Sequence, residues 1–276
     1  MSYLHFILFF TTFITTTVAG AFQAGYNPFS SFIAFSKGFP FSFTLMFILL
    51  SHELGHYFAS KYYNVKVTPP YFIPAPSLIG TFGAFIKIKS PMPDNKVLFD
   101  VGIAGPLTGV IVSLPILIYG LSHSHLMIMP KPPVEGLVLG ECLLFKFFAW
   151  VIWGSLPDNV HIMLHPMAFA GWIGIFVTAL NLMPVGQLDG GHISYALLGE
   201  YGHSILSRLV IAGLIILGII AWHGWLFWAI LLFILGLHHP MPLDPFSSIG
   251  NKRKILGSIA FLIFVLSFTP IPFKLG

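Results

Sequence analysis

Charge is what this sequence has least of. Only 8% of its 276 residues are Asp, Glu, Lys or Arg, against 56% hydrophobic residues. A soluble domain carries roughly 25% charged residues. So few ionisable groups cannot clothe an ordinary wet surface, so lipid is expected to cover most of the chain. Cysteine is nearly absent too. The single Cys142 excludes an internal disulfide and is expected to be a small buried apolar side chain. The net charge of +4 is modest and forms no basic stripe, which excludes a nucleic-acid surface. A polar stretch long enough for a soluble domain is also missing. The longest weakly apolar segment, 122–165, is too short and too hydrophobic for one.

Long apolar runs fill the space that charge leaves. A membrane helix needs roughly 20 apolar residues, and candidate runs lie at about 3–22, 39–60, 98–121, 166–184, 205–222, 225–237 and 255–270, the sixth of them short. Residues 137–154 are apolar as well, but Glu141 and Lys146 favour an interfacial or re-entrant helix over a full span. The first run lacks a basic leader and is taken as a membrane helix rather than a signal peptide. The expected fold is an all-α polytopic membrane protein of six or seven transmembrane helices, a single integral membrane domain over 1–276. With seven spans and the N-terminus inside, the loops richest in Lys and Arg, near 61–97, 185–204 and 238–254, face the cytoplasm.

Against this background "FILLSHELGHYFASKYY", residues 47–63, stands out. Insertion of an ionisable side chain into a bilayer costs on the order of 2.5–3.5 kcal/mol, yet His52, Glu53 and His56 close an apolar helix. Residues four apart share a helix face, so His52 and His56 point the same way and can bind one Zn²⁺, with Glu53 beside it as general base. A catalytic zinc needs a third protein ligand and an open position. The acids available are Glu53, Asp94, Asp100, Glu135, Glu141, Asp158, Asp189, Glu200 and Asp244. Asp189 is the best placed, because it follows the run 166–184 in "NLMPVGQLDGGHI" and emerges at the same leaflet as HELGH. Pro184 and Gly186 break that helix, and Gly190 and Gly191 would let backbone approach the metal.

HELGH on a membrane helix followed far downstream by "NLMPVGQLDG" resembles the site-2 protease family of intramembrane zinc metalloproteases. The resemblance runs through "GTFGAFIKIKSPMPDNKVLFDVGIAGPLTG" (80–109) and "QLDGGHISYALLG" (187–199) and covers about 40–200. It is to the subgroup without a PDZ domain, since no gap is long enough for one. It implies a catalytic core at about 39–200 followed by C-terminal helices over about 205–270. It also implies one Zn²⁺ per chain held by His52, His56 and Asp189, with Glu53 as general base. Asn181 would hold the substrate backbone or stabilise the oxyanion. Substrates would be single-pass transmembrane proteins, including regulators already trimmed by another protease, cut within the lipid bilayer. In this family a second proline often stands where this chain has Gly186. The expected location is a prokaryotic plasma membrane, with a plastid origin open.

The remaining motifs receive structural expectations. "VKVTPPYFIPAP" cannot be helical and "GTFGAFIKIKS" alternates like a strand, so a small membrane-associated β-hairpin follows the HELGH helix. It could accept an unwound substrate as an added strand. Gly102, Gly105 and Gly109 suit close packing that seats the HELGH helix, and Asp100 caps or orients their helix. His192 could support the metal site from behind. His123, His125, His161 and His165 are expected in solvated loops, and His238 and His239 at an interface. A metal or proton transporter would spread polar groups over several helices or repeat its halves, which this sequence does not do. A catalytically inactive helix-binding relative would not need Glu53 and all three ligands.

Overall fold

The computed structural model describes residues 3–128, 137–157 and 159–275. Helix α1 (Tyr3–Gln23) leads through a single-turn α2 (Phe32–Ser36) into α3 (Phe39–Tyr62). Strands β1 (Tyr71–Pro74) and β2 (Thr81–Phe85) precede α4 (Asn95–Ser122). Then come β3 (His125–Ile128), β4 (Leu137–Leu139), α5 (Leu143–Trp153), β5 (Val160–Met163), α6 (Pro166–Asn181), α7 (Asp189–Ile220), α8 (Gly224–Leu235), α9 (Asn251–Ser267) and β6 (Phe273–Leu275). The strands form three antiparallel pairs, β1 with β2, β3 with β5 and β4 with β6.

Among the described residues four helical stretches are long and apolar enough to cross a membrane: Tyr3–Gln23, Phe32–Tyr62, Asn95–Ser122 and Asp189–Ile220. Residues 205–222 fall in the part of α7 that follows a kink at Gly199. The run at 225–237, short for a span in the sequence, is the 12-residue α8, about 18 Å long at 1.5 Å per residue, against a hydrocarbon core of roughly 30 Å. Segment 137–154 is a short strand and the 11-residue α5, too short for a full span, as its charges imply.

The chain divides into two compact units. The first comprises Met1–Lys89, Leu107–Ile128 and Phe148–Val177. Here small residues let helices approach closely, the usual solution where lipid offers no hydrophobic drive between helices. A side chain at Gly38 would lie 1.9 Å from the Thr17 carbonyl, and the Thr16 and Ser42 hydroxyls bond across the same α1–α3 contact at 2.6 Å. A Cβ at Gly174 of α6 would meet Ile48 of α3 at 2.7 Å and Ser113 of α4 at 2.4 Å, and Gly120 lies against Ala168. Helices α3, α4 and α6 thus pack through glycines. The β1–β2 hairpin forms as expected and is tied to α1 by the Thr15 hydroxyl, which donates to the Gly80 carbonyl at 2.6 Å.

The second unit comprises Ser90–Pro106, Met129–Phe147 and Thr178–Gly276. Asp94, not Asp100, caps α4: its carboxylate accepts from the Val97 amide at 2.8 Å. Asp100 sits inside the helix and accepts two bonds from Arg253 of α9, at 2.8 and 2.6 Å. This two-pronged geometry is the strong form of an ion pair. Asn95 is fastened to the loop before α9 by its side-chain amide on the Pro245 carbonyl, 2.7 Å. Helix α7 is broken at Gly199, where φ is 70° and ψ is −179°. That region of backbone space is essentially reserved for glycine.

Candidate metal centre

Helix α3 carries the HELGH candidates. No proline or internal glycine interrupts it before HELGH, so the register of its face is fixed. His52, Glu53 and His56 expose only 4%, 5% and 6% of their surface. The two imidazole Nε2 atoms face each other at 3.1 Å, with ring centroids 4.9 Å apart. Two nitrogens bound at about 2.0–2.1 Å to one tetrahedral ion stand roughly 3.3 Å apart. The pair is therefore spaced as two ligands of one zinc, and imidazole nitrogens suit that ion.

The junction of α6 and α7 carries the other candidates. Asn181 ends α6 and Asp189 begins α7, both half-buried, with the tight turn 182–188 between them. Gly186 has φ of +53° in this turn. Proline, fixed near −65°, could not take that conformation, so the turn follows a path of its own where relatives in the family often have proline. Gly190 and Gly191 pack tightly on the turn before them. A Cβ at Gly190 would lie 2.1 Å from the Leu182 carbonyl and one at Gly191 2.3 Å from that of Gly186. The glycines close the first turn of α7 onto the preceding loop. Gly102 likewise meets that turn: its Cβ would lie 2.8 Å from His192 Cβ and 3.4 Å from the Asp189 carbonyl.

Sequence reasoning missed the partner of His192. Its Nδ1 lies 2.5 Å from Nε2 of His239, in the loop between α8 and α9. His239 also stacks on Tyr195 at 4.6 Å. Burial, and next the neighbouring His192, lower the His239 pKa to about 3. Only the doublet "HHP" hinted at this residue, and nothing in it named a partner 47 positions away. His203 is bonded to Ser194 at 2.8 Å. The four histidines at the opposite end of α4 are dispersed: His125 and His161 lie on the paired strands β3 and β5, while the His123 and His165 rings are 6.3 Å apart. Burial, then His123 and His125, lower the pKa of His165. Cys142 is buried, as expected. Glu135 and Asp158 lie outside the described residues.

Comparison with known proteins places this geometry in a family. Peptidase family M50 matches residues 40–222. Over 242 residues the chain is 32% identical to "Probable zinc metalloprotease EGY1, chloroplastic" of Arabidopsis thaliana, covering 84% of this chain and 43% of that protein. It is 28% identical over 247 residues to "Probable zinc metalloprotease EGY2, chloroplastic" of the same plant, covering 86% of this chain and 42% of that protein. "Probable zinc metalloprotease EGY3, chloroplastic" of Oryza sativa subsp. indica is 26% identical over 239 residues, 81% of this chain and 40% of that protein. The chain thus spans well under half the length of these relatives. Their chloroplast location lends no support to a prokaryotic plasma membrane here. By the extent of the match and the HELGH motif within it, the chain belongs to peptidase family M50, the site-2 protease family.

Proposed function

We propose that this protein is a zinc-dependent intramembrane metalloprotease that hydrolyses peptide bonds within single-pass transmembrane segments, including those of regulators already trimmed by another protease. The observation that carries the reading is the buried pair of imidazole nitrogens 3.1 Å apart on a membrane-length helix, with a buried glutamate between them in sequence. Family membership and the zinc metalloprotease names of the relatives support it. His52 and His56 supply two ligands and Asp189 the third, for one zinc per chain. When bound, the ion polarises the scissile carbonyl and lowers the pKa of a water molecule.

The protein's own groups do the rest. Glu53 takes the proton of the attacking water and delivers it to the nitrogen of the leaving amine. Asn181 donates its side-chain amide to the substrate backbone or to the developing oxyanion. Burial of Glu53 keeps competing water away from its carboxylate. The substrate helix must unwind first, because its amides are paired internally, and the β1–β2 hairpin offers an edge for the freed backbone. In this reading α6 and the C-terminal helices bring the number of crossings to six or seven, and the site opens toward the cytoplasmic leaflet or its plastid equivalent.

The test is cleavage of a single-pass transmembrane substrate by the full chain in detergent. Wild type should cut within the apolar segment, and Glu53→Gln should lose activity by ~10²–10⁴-fold while retaining zinc. Equal cleavage by both proteins would sink the reading.

A further inference from the structure

Beside the break in α7 lies an open cavity of about 560 Å³, lined among others by Tyr195, Glu200, His203, His238 and His239. Every one of these side chains can donate to or coordinate a ligand, and two of the residues reach it from the loop after α8. His239 arrives in a ligand's posture. Its Nδ1 faces the Pro240 carbonyl at 2.7 Å, so Nδ1 is the protonated nitrogen and Nε2 carries the lone pair. A backbone carbonyl holding the far nitrogen is how ligating histidines are usually oriented. Nε2 lies 2.5 Å from Nδ1 of His192. The two rings stand 4.8 Å apart and nearly perpendicular at 87°, close to the 4.9 Å between the rings of His52 and His56.

We propose that His192 and His239 hold a second divalent transition-metal ion, completed by water and by Glu200 or His238 from the cavity rim. To take the ion, the two nitrogens part by about 0.8 Å, from their hydrogen-bonded contact to the roughly 3.3 Å of two tetrahedral ligands, and His192 shifts its ring proton from Nδ1 to Nε2. His239 has room to move, because it borders the cavity. Glu200 and His238 are exposed and can swing inward. A nitrogen-rich set with a single carboxylate selects a borderline metal such as Zn²⁺ or Co²⁺ over Mg²⁺ or Ca²⁺. With only two ligands in place beforehand, this site binds more weakly than a site with three. The proposal stands whether or not HELGH binds zinc.

The experiment is Co²⁺ titration of the full chain in detergent after chelation, read by visible absorption and by bound metal per chain. Wild type should take up two equivalents, the second at least ~10-fold weaker. His239→Phe, which preserves the stack on Tyr195, should lose only the weaker one, and His56→Ala only the tighter one. If His239→Phe melts early, His192→Asn makes the same test. One equivalent that survives His56→Ala but not His239→Phe keeps this proposal and sinks the zinc reading of HELGH. A single equivalent that is lost only in His56→Ala, two equivalents in His239→Phe, or none in wild type overturns it.

Discussion

Two histidine pairs in this protein have nearly the same ring separation and opposite constructions. His52 and His56 stand one turn apart on an unbroken helix, sealed from solvent. His192 and His239 come from a helix and a loop 47 residues apart, and His239 lines a cavity beside the glycine that breaks α7. The first pair is held by local backbone hydrogen bonds and needs no rearrangement to bind an ion. The second depends on the loop staying in place and can adjust. Rigidity suits a site where a water must be positioned for attack. Adjustability suits a site that fills and empties.

The sharpest break between the pairs is functional. His56→Ala should lower proteolysis of a transmembrane substrate by at least ~10²-fold, in keeping with loss of the metal that activates water, whereas His239→Phe should stay within tenfold of wild type. Comparable losses in the two would erase the distinction. The next effect is on stability near the adjustable pair. A Cβ at Gly199 would meet nothing within 4 Å, so Gly199→Ala tests backbone strain alone and should cost about 1–3 kcal/mol, read as a lower melting temperature.

Acid provides a third contrast. His239 is neutral when folded, with its pKa lowered to about 3, while the unfolded chain binds a proton near pH 6.5. A lowered histidine pKa leaves stability intact above about 6.5 and erodes it as pH falls toward 3. At pH 5 the loss should be on the order of 1–2 kcal/mol, and His239→Phe should flatten that part of the melting profile. An unchanged profile would place the acid sensitivity elsewhere. The smallest effect belongs to Asp94→Ala, which removes the cap of α4 and should cost about 1 kcal/mol.

What the sequence disclosed follows the same division. HELGH was legible because helical spacing alone puts both imidazoles on one face, and the burial of Glu53 follows from the apolar run around it. The hairpin was legible because Pro69, Pro70 and Pro74 forbid a helix. The glycine roles were not: Gly102, Gly190 and Gly191 are needed where chain segments meet, and spacing does not say which segments those are. Asp94 and Asp100 lie six residues apart at the start of one helix. Only the position of Arg253 explains why one caps and the other pairs. The α8 run was apolar but only thirteen residues long in the sequence, and it folds as a helix of twelve that ends where Gly236 leaves helical geometry with φ of 99°.

The central claim is that two motifs more than a hundred residues apart serve one ion. The most direct measurement is zinc per purified chain in detergent for wild type, His56→Ala and Asp189→Ala, with the weaker site emptied by mild chelation. The account predicts about one zinc in wild type and a sharp loss in both variants. Full zinc in Asp189→Ala would contradict it and remove Asp189 from the ligand set.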